Sequence, residues 1–145
     1  MRSDSAVSAI EDRLAINDLF VRYTTALDAG DVETLVGCFT ADAVLESPAI
    51  GVITGHEAIR AFAVRFATLR EGGTQFRHMI GNLAAEIEDQ RARATCYLLV
   101  LITRDGKGRQ LPPGRYECEL EKEDGLWRFR RRVVFHDHTY TLDGI

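Results

Sequence analysis

The chain changes its hydrophobic period once, and that change limits what it can fold into. Up to about residue 70 apolar side chains recur three and four apart; from Gln75 onward they alternate. A period near 3.6 builds helices with one apolar stripe, and a period of two builds strands with one apolar face. Helices first and long strands later predict an α+β domain, a curved and mostly antiparallel sheet wrapped over three N-terminal helices. Gly72-Gly73 marks the switch.

Within the helical part, Ile16, Leu19, Phe20, Tyr23 and Leu27 form one stripe over residues 8–29. Gly30 is placed to be the left-handed residue that ends this helix. Asp31 can then cap a short second helix over residues 32–39. An apolar stretch at 43–46, ended by Pro48, pairs with 50–53 as a hairpin, and a third helix spans 56–69. Beyond the glycines, four strands follow at 75–88, 91–103, 115–122 and 126–136, joined by turns suited to antiparallel hairpins. With no linker or repeat, residues 1–145 read as a single domain. A sheet curling over a long helix leaves a cone, and its open end is a natural ligand pocket.

Composition excludes several classes of partner. The net charge is −4 with mixed signs, which gives no footprint for nucleic acid. The longest apolar run, residues 96–102, is too short to cross a bilayer, and the first residues lack the apolar core of a signal peptide. Cys38, Cys96 and Cys118 are an odd set, each inside an apolar pattern. They read as buried thiols of a reducing compartment, with the cytoplasm as the default location. There is no Walker loop, Rossmann glycine pattern, nucleophile elbow or paired CxxC.

Two residues stand out chemically. Asp28 falls in the last turn of the first helix, where the dipole disfavours a carboxylate. It can be satisfied by its own Leu-Asp-Ala-Gly-Asp turn, or by a cation brought from elsewhere. His78 shares a strand face with Phe76, Ile80 and Asn82, so its imidazole needs either a carbonyl partner or an acid. Paired with Asp28, it would be fixed in one tautomer and become a better base. Tyr23, on the inward helical stripe, is either a packed phenol or a donor into a cavity. Four arginines crowd the last strand, where alternation puts Arg131 on the face of Trp127 and Phe129, and Arg132 on the other. Only one of the two can enter the cavity unless a bulge intervenes. His136 and His138 lack a third ligand at a recognisable spacing, so no metal site is expected.

Five segments together resemble the SnoaL-like branch of the nuclear-transport-factor-2-like superfamily. They are Ala15 to Leu19, Leu27-Asp28, Phe39 to Ala43, Gly55 to Ile59 and Arg77 to Asn82. The branch includes scytalone dehydratase and hexachlorocyclohexane dehydrochlorinase, and the resemblance implies their cone-like α+β barrel. It also implies that Asp28 holds His78 and that His78 removes a proton. Alignment on Trp127-x-Phe129 makes Arg132 the match to the arginine that the dehydrochlorinase carries in its last strand, and Arg132 points inward on the premise that those two rings pack on the convex face. At the dehydrochlorinase lysine this chain has Tyr23, which keeps a donor but removes a fixed charge and favours an oxygen over a halide leaving group. The isomerase mechanism of the sister ketosteroid isomerase is disfavoured, because the position of its carboxylate base holds Ser47.

The expected protein is therefore a small cofactor-independent enzyme, a dehydratase-type lyase or a related cyclase or isomerase. His78 is the expected base, Asp28 its orienter, and Tyr23 and Arg132 the stabilisers of developing charge. The expected lining is Phe20, Phe62, Phe66, Met79 and Leu99, suited to a small cyclic or aromatic substrate. No metal, nucleic acid or membrane is expected as a partner. A homo-oligomer, dimer or trimer, is expected through a convex face carrying Trp127 and Tyr97. The rival expectation is a non-catalytic ligand-binding module, or an accessory subunit resembling the small subunit of ring-hydroxylating dioxygenases.

Overall fold

Ser3 opens the first helix, its hydroxyl accepting from the Ala6 amide at 3.3 Å. The computed structural model describes residues 3–141. Helix α1 (Asp4–Ala29) ends where Gly30 turns left-handed at φ 72°, and Asp31 caps α2 (Val32–Gly37) through the Thr34 amide. Gly30 has a second reason to be glycine, since a Cβ there would press on Ala67 at 3.3 Å. The chain continues through β1 (Phe39–Ser47), β2 (Gly51–Thr54) and α3 (His56–Glu71). Then come β3 (Gln75–Glu88), β4 (Arg91–Arg104), β5 (Lys107–Gln110), β6 (Gly114–Glu123) and β7 (Leu126–His136).

The strands form one sheet in the order β2-β1-β7-β6-β4-β3, with β5 folded back onto β4. All pairs are antiparallel except β1 with β7. That parallel pair brings the early hairpin to the far side of the meander. The ladder stays open, ending at β2 and β3. Curvature comes partly from bulges. Gly81 pairs with Tyr97 and Ala84 with Thr95, so Asn82 (φ 53°) and Leu83 stand opposite Cys96 alone.

Several boundaries differ from the sequence reading for local reasons. The second helix stops at Gly37 rather than at residue 39, because Phe39 already pairs with Phe129 in the sheet. The strand expected at 43–46 therefore starts four residues earlier. Strand β5 was expected as loop: all four of its residues are exposed, so it has no alternation to read.

The convex-face premise is overturned. Trp127 and Phe129 are buried inside the cone, and so is Arg132, at 1% exposure. The cause is a bulge. Glu119 pairs with Arg131 but Leu120 pairs with Phe129, so Arg130 is an extra residue in β7. It shifts the alternation by one, and Trp127, Phe129 and Arg132 all point inward. Trp127 donates its indole N–H to Asp12 at 2.9 Å, and Lys122 reaches the same oxygen at 3.0 Å. Partial burial opposes the Asp12 charge, but these two donors outweigh it and hold its carboxyl below the usual range. Tyr97 does lie on the convex face, 62% exposed.

Among the described residues no helix is long and apolar enough to cross a membrane. The three cysteines are free and buried. Burial pushes the thiols of Cys38 and Cys96 up to about 11 and that of Cys118 to about 12, from an ordinary value of 9.0. Raised folded-state values mean that this contribution to stability is complete below about pH 9 and is lost as pH rises through 11 to 12. A disulfide-exchange thiol reagent at pH 8 should therefore titrate none of the three in the native protein and all of them in denaturant. Rapid reaction of any cysteine in the native state would contradict the burial.

Candidate active site

The site begins at the end of α1. The Asp28 carboxylate lies where helix carbonyls repel it, and both of its oxygens are taken by one residue across the fold. The His78 backbone N–H donates to Oδ2 at 2.9 Å, and His78 Nδ1 lies 2.6 Å from Oδ1. A carboxylate only accepts, so the proton sits on Nδ1 and the lone pair on Nε2. The Asp28 and His78 side chains are 12% and 8% exposed, so solvent screens the pair weakly. Gln75 adds a longer bond to the Asp28 carbonyl at 3.4 Å. Of the two partners open to Asp28, the distant histidine is the one it engages.

His78 lines an apolar cavity of about 260 Å³ between α3 and the concave face of the sheet. Phe62, Phe66 and Phe76 form one wall, with successive ring centroids 5.0 Å apart, and the His78 ring lies 6.1 Å from Phe76. Leu98, Val100, Leu111 and Tyr116 floor it, and Val134, His136 and Tyr140 close the far side. Ala49, Ile50 and Arg65 lie at the more exposed rim.

The expected lining is only partly the observed one. Phe62 and Phe66 face the cavity. Phe20 does not: it is buried in the core, edge-on to Phe129 at 5.1 Å. Met79, 55% exposed, and its partner Leu99 lie on the convex face, because they are one residue out of phase with His78 and Val100. Leu98 and Val100 line the cavity instead.

Tyr23 and Arg132 lie behind the cavity wall. The Arg132 guanidinium is sandwiched between the rings of Tyr23 at 3.7 Å and Tyr116 at 3.5 Å, with Phe129 at 5.6 Å. Its Nε and Nη2 are buried with no protein acceptor among the described residues. For these two nitrogens the compensation is the faces of the aromatic rings on either side. Of the stack, only Tyr116 lines the cavity. Burial pushes the Tyr116 phenol up, and the Arg132 charge partly opposes that rise. Tyr23 is raised for the same reason, again with Arg132 opposing.

Tyr116, His136 and Tyr140 are among the cavity residues that the sequence reading did not place there. Tyr116 was available from alternation with Cys118 and Leu120 in β6. In the sequence His136 stands out only as half of a His-Asp-His pair. It faces inward because the Arg130 bulge resets β7, and its Nδ1 lies 3.1 Å from the Pro112 carbonyl. A carbonyl accepts only, so Nδ1 carries the proton and Nε2 can accept from Tyr140 Oη at 3.4 Å. Gly114 makes room for it: a Cβ there would collide with the Phe135 carbonyl and sit 3.2 Å from His136 Nδ1. Tyr140 lies beyond the last strand, where no pattern could place it. His138 is exposed and does not join His136.

Helices packed into a curved, open sheet define the nuclear-transport-factor-2-like architecture. A family model of the SnoaL-like domain matches residues 8–133, and the chain belongs to that family. Rv2910c, an uncharacterized protein of Mycobacterium tuberculosis, is 27% identical over 141 residues, covering 91% of this chain and 90% of that protein. Among solved structures, Rv3472 from Mycobacterium tuberculosis, a protein of unknown function, matches with a TM-score of 0.82 at 28% identity. That match covers 94% of this chain and 78% of the other. A Catenulispora acidiphila protein in complex with S-DNPA matches with a TM-score of 0.75 at 30% identity, over 92% and 96% of the two chains.

The sandwiched Arg132 gives a stability test. Arg132→Ala leaves a void between two rings and should lower the unfolding free energy by about 2–5 kcal/mol, as for other large-to-small core changes. Arg132→Met fills the same space without a charge to desolvate and should cost less than half as much. Equal losses in chemical denaturation would show that the charge, rather than its volume, matters.

Proposed function

We propose that the protein is a small enzyme that removes a proton next to a carbonyl or leaving group, using His78 as base and needing no cofactor. A dehydratase-type lyase is the preferred reaction, with cyclase and isomerase as close neighbours. The observation that carries this reading is the double contact of His78 with Asp28. It fixes the tautomer by which Nε2, the nitrogen without a hydrogen-bond partner among the described residues, would be the one to meet substrate. Asp28 orients the ring and stabilises the imidazolium that forms after proton transfer. His78 then returns the proton to the departing oxygen.

In this mechanism Tyr116 donates to the oxygen where negative charge develops, and the Arg132 charge behind its ring strengthens that donor. Tyr23 and Arg132 are positioning residues that act through Tyr116. The apolar walls limit the substrate to a small cyclic or aromatic molecule. A relative solved in complex with S-DNPA supports a ligand-holding role for such a cavity. Family membership equally accommodates a ligand-binding module, and the same experiment separates the two.

Exchange of the α-protons of 2-tetralone with deuterium, followed by NMR, measures the proposed step on a probe ketone. His78→Ala should slow protein-catalysed exchange by about a hundredfold to ten-thousandfold, the contribution of a positioned base. Asp28→Asn offers an amide N–H to Nδ1, reverses the tautomer, and should cause a loss of similar order with the fold intact. Tyr116→Phe should slow exchange on the order of a hundredfold, whereas Tyr23→Phe should leave most of it. Undiminished exchange in His78→Ala would remove the base. Binding of the ketone without exchange in the wild type would leave a ligand-binding module.

A further inference from the structure

We infer that the substrate carries a carboxylate, or an equally acidic oxygen, at the end remote from His78, and that Arg65 at the cavity rim recognises it. This rests on the cavity being the substrate site and names the class of molecule it takes. The charge around the cavity is one-sided. Among the described lining residues Arg65 is the only guanidinium, and there is no carboxylate. Asp28 does not line the cavity, and its charge is engaged behind His78.

The other polar groups of the lining are largely committed within the protein. His78 Nδ1 faces Asp28, His136 Nδ1 faces Pro112, His136 Nε2 faces Tyr140, and the Ser47 hydroxyl accepts from the Ala49 amide at 3.1 Å. Arg65 has five donors and no hydrogen-bonded or ion-paired partner among the described residues. Its helix offers none either: the neighbours at helical spacing are Ala61, Phe62, Thr68 and Leu69. Arg60, one and a half turns earlier, is by contrast clamped by Glu33 through two bonds of 2.9 and 3.2 Å.

Position adds direction to charge. Arg65 lies about one helical turn from Phe62, on the side away from Phe66, and the aromatic wall continues from Phe62 to Phe66 and from Phe66 to both Phe76 and His78. A planar ring laid along that wall has the base at one end and the guanidinium at the other. A carboxylate there meets a planar fork of donors in the geometry that arginine matches best. A cavity of about 260 Å³ leaves room for one or two fused rings between the two ends.

Calorimetric titration of the intact protein with benzoic, phenylacetic and 2-naphthoic acids, each against its primary amide, tests this without any turnover. At least one acid should bind about tenfold more tightly than its amide, the size of one charge-assisted contact at an exposed site. The preference should shrink as salt rises. Arg65→Gln should bring the ratio close to one while leaving the amide's affinity unchanged. His78→Ala should keep the acid preference, so loss of proton exchange and loss of acid recognition are read separately. Equal affinity for acid and amide, no binding of any acid, or a preference that survives Arg65→Gln would each overturn the assignment.

Discussion

Both oxygens of the Asp28 carboxylate are held by a single residue fifty positions later, and much of the site follows from that fact. One contact is to the backbone of β3 and the other to the ring, so the end of α1 is tied to a strand and to its side chain at once. A charge at the unfavourable end of a helix dipole is thereby stabilised by two donors in weakly screened surroundings. The same pair of bonds leaves the imidazole little rotational freedom. One residue thus both tethers the helix to the sheet and has its ring orientation fixed.

The second charged centre is organised by a different rule. Arg132 has no carboxylate and is sandwiched between two phenol rings. Its charge reaches the cavity only through Tyr116. The two devices divide the interior: one side holds a hydrogen-bonded anion behind an imidazole, the other a cation behind a phenol. Between them the walls are hydrocarbon and aromatic. Beyond His78 and Tyr116, the polar residues of the lining are Ser47, Arg65, His136 and Tyr140.

Much of the fold was legible because it rests on periodicity. β3 and β7 were bounded to the residue, and Gly30 and Asp31 were read from the chemistry of caps. The Asp28–His78 contact was legible through family resemblance, since local patterns left the turn and the histidine as equal partners for the acid. What alternation alone could not supply was phase beyond an irregularity. It put Trp127 and Arg132 on opposite faces, and both are inside. Met79 and Leu99 show the converse: their apolar character suggests a lining, but alternation with His78 and Val100 puts them outside. Arg65 reads as one more solvated arginine until α3 is folded against the sheet.

The extra residue at Arg130 gives this sheet an unusual way to change. Downstream of it, Arg132, Val134 and His136 face inward, and Val133 and Phe135 alternate with them. Loss of that one amino acid would restore strict alternation without exchanging the two sets, because Leu120 would still meet Phe129 and Glu119 would still meet Arg131. The strand can therefore change length by one residue here and keep the same guanidinium and imidazole inside. In a relative with a one-residue gap at this point, period-two alternation counted straight through β7 would give the correct faces. In this chain the same count puts Trp127 and Arg132 on opposite faces.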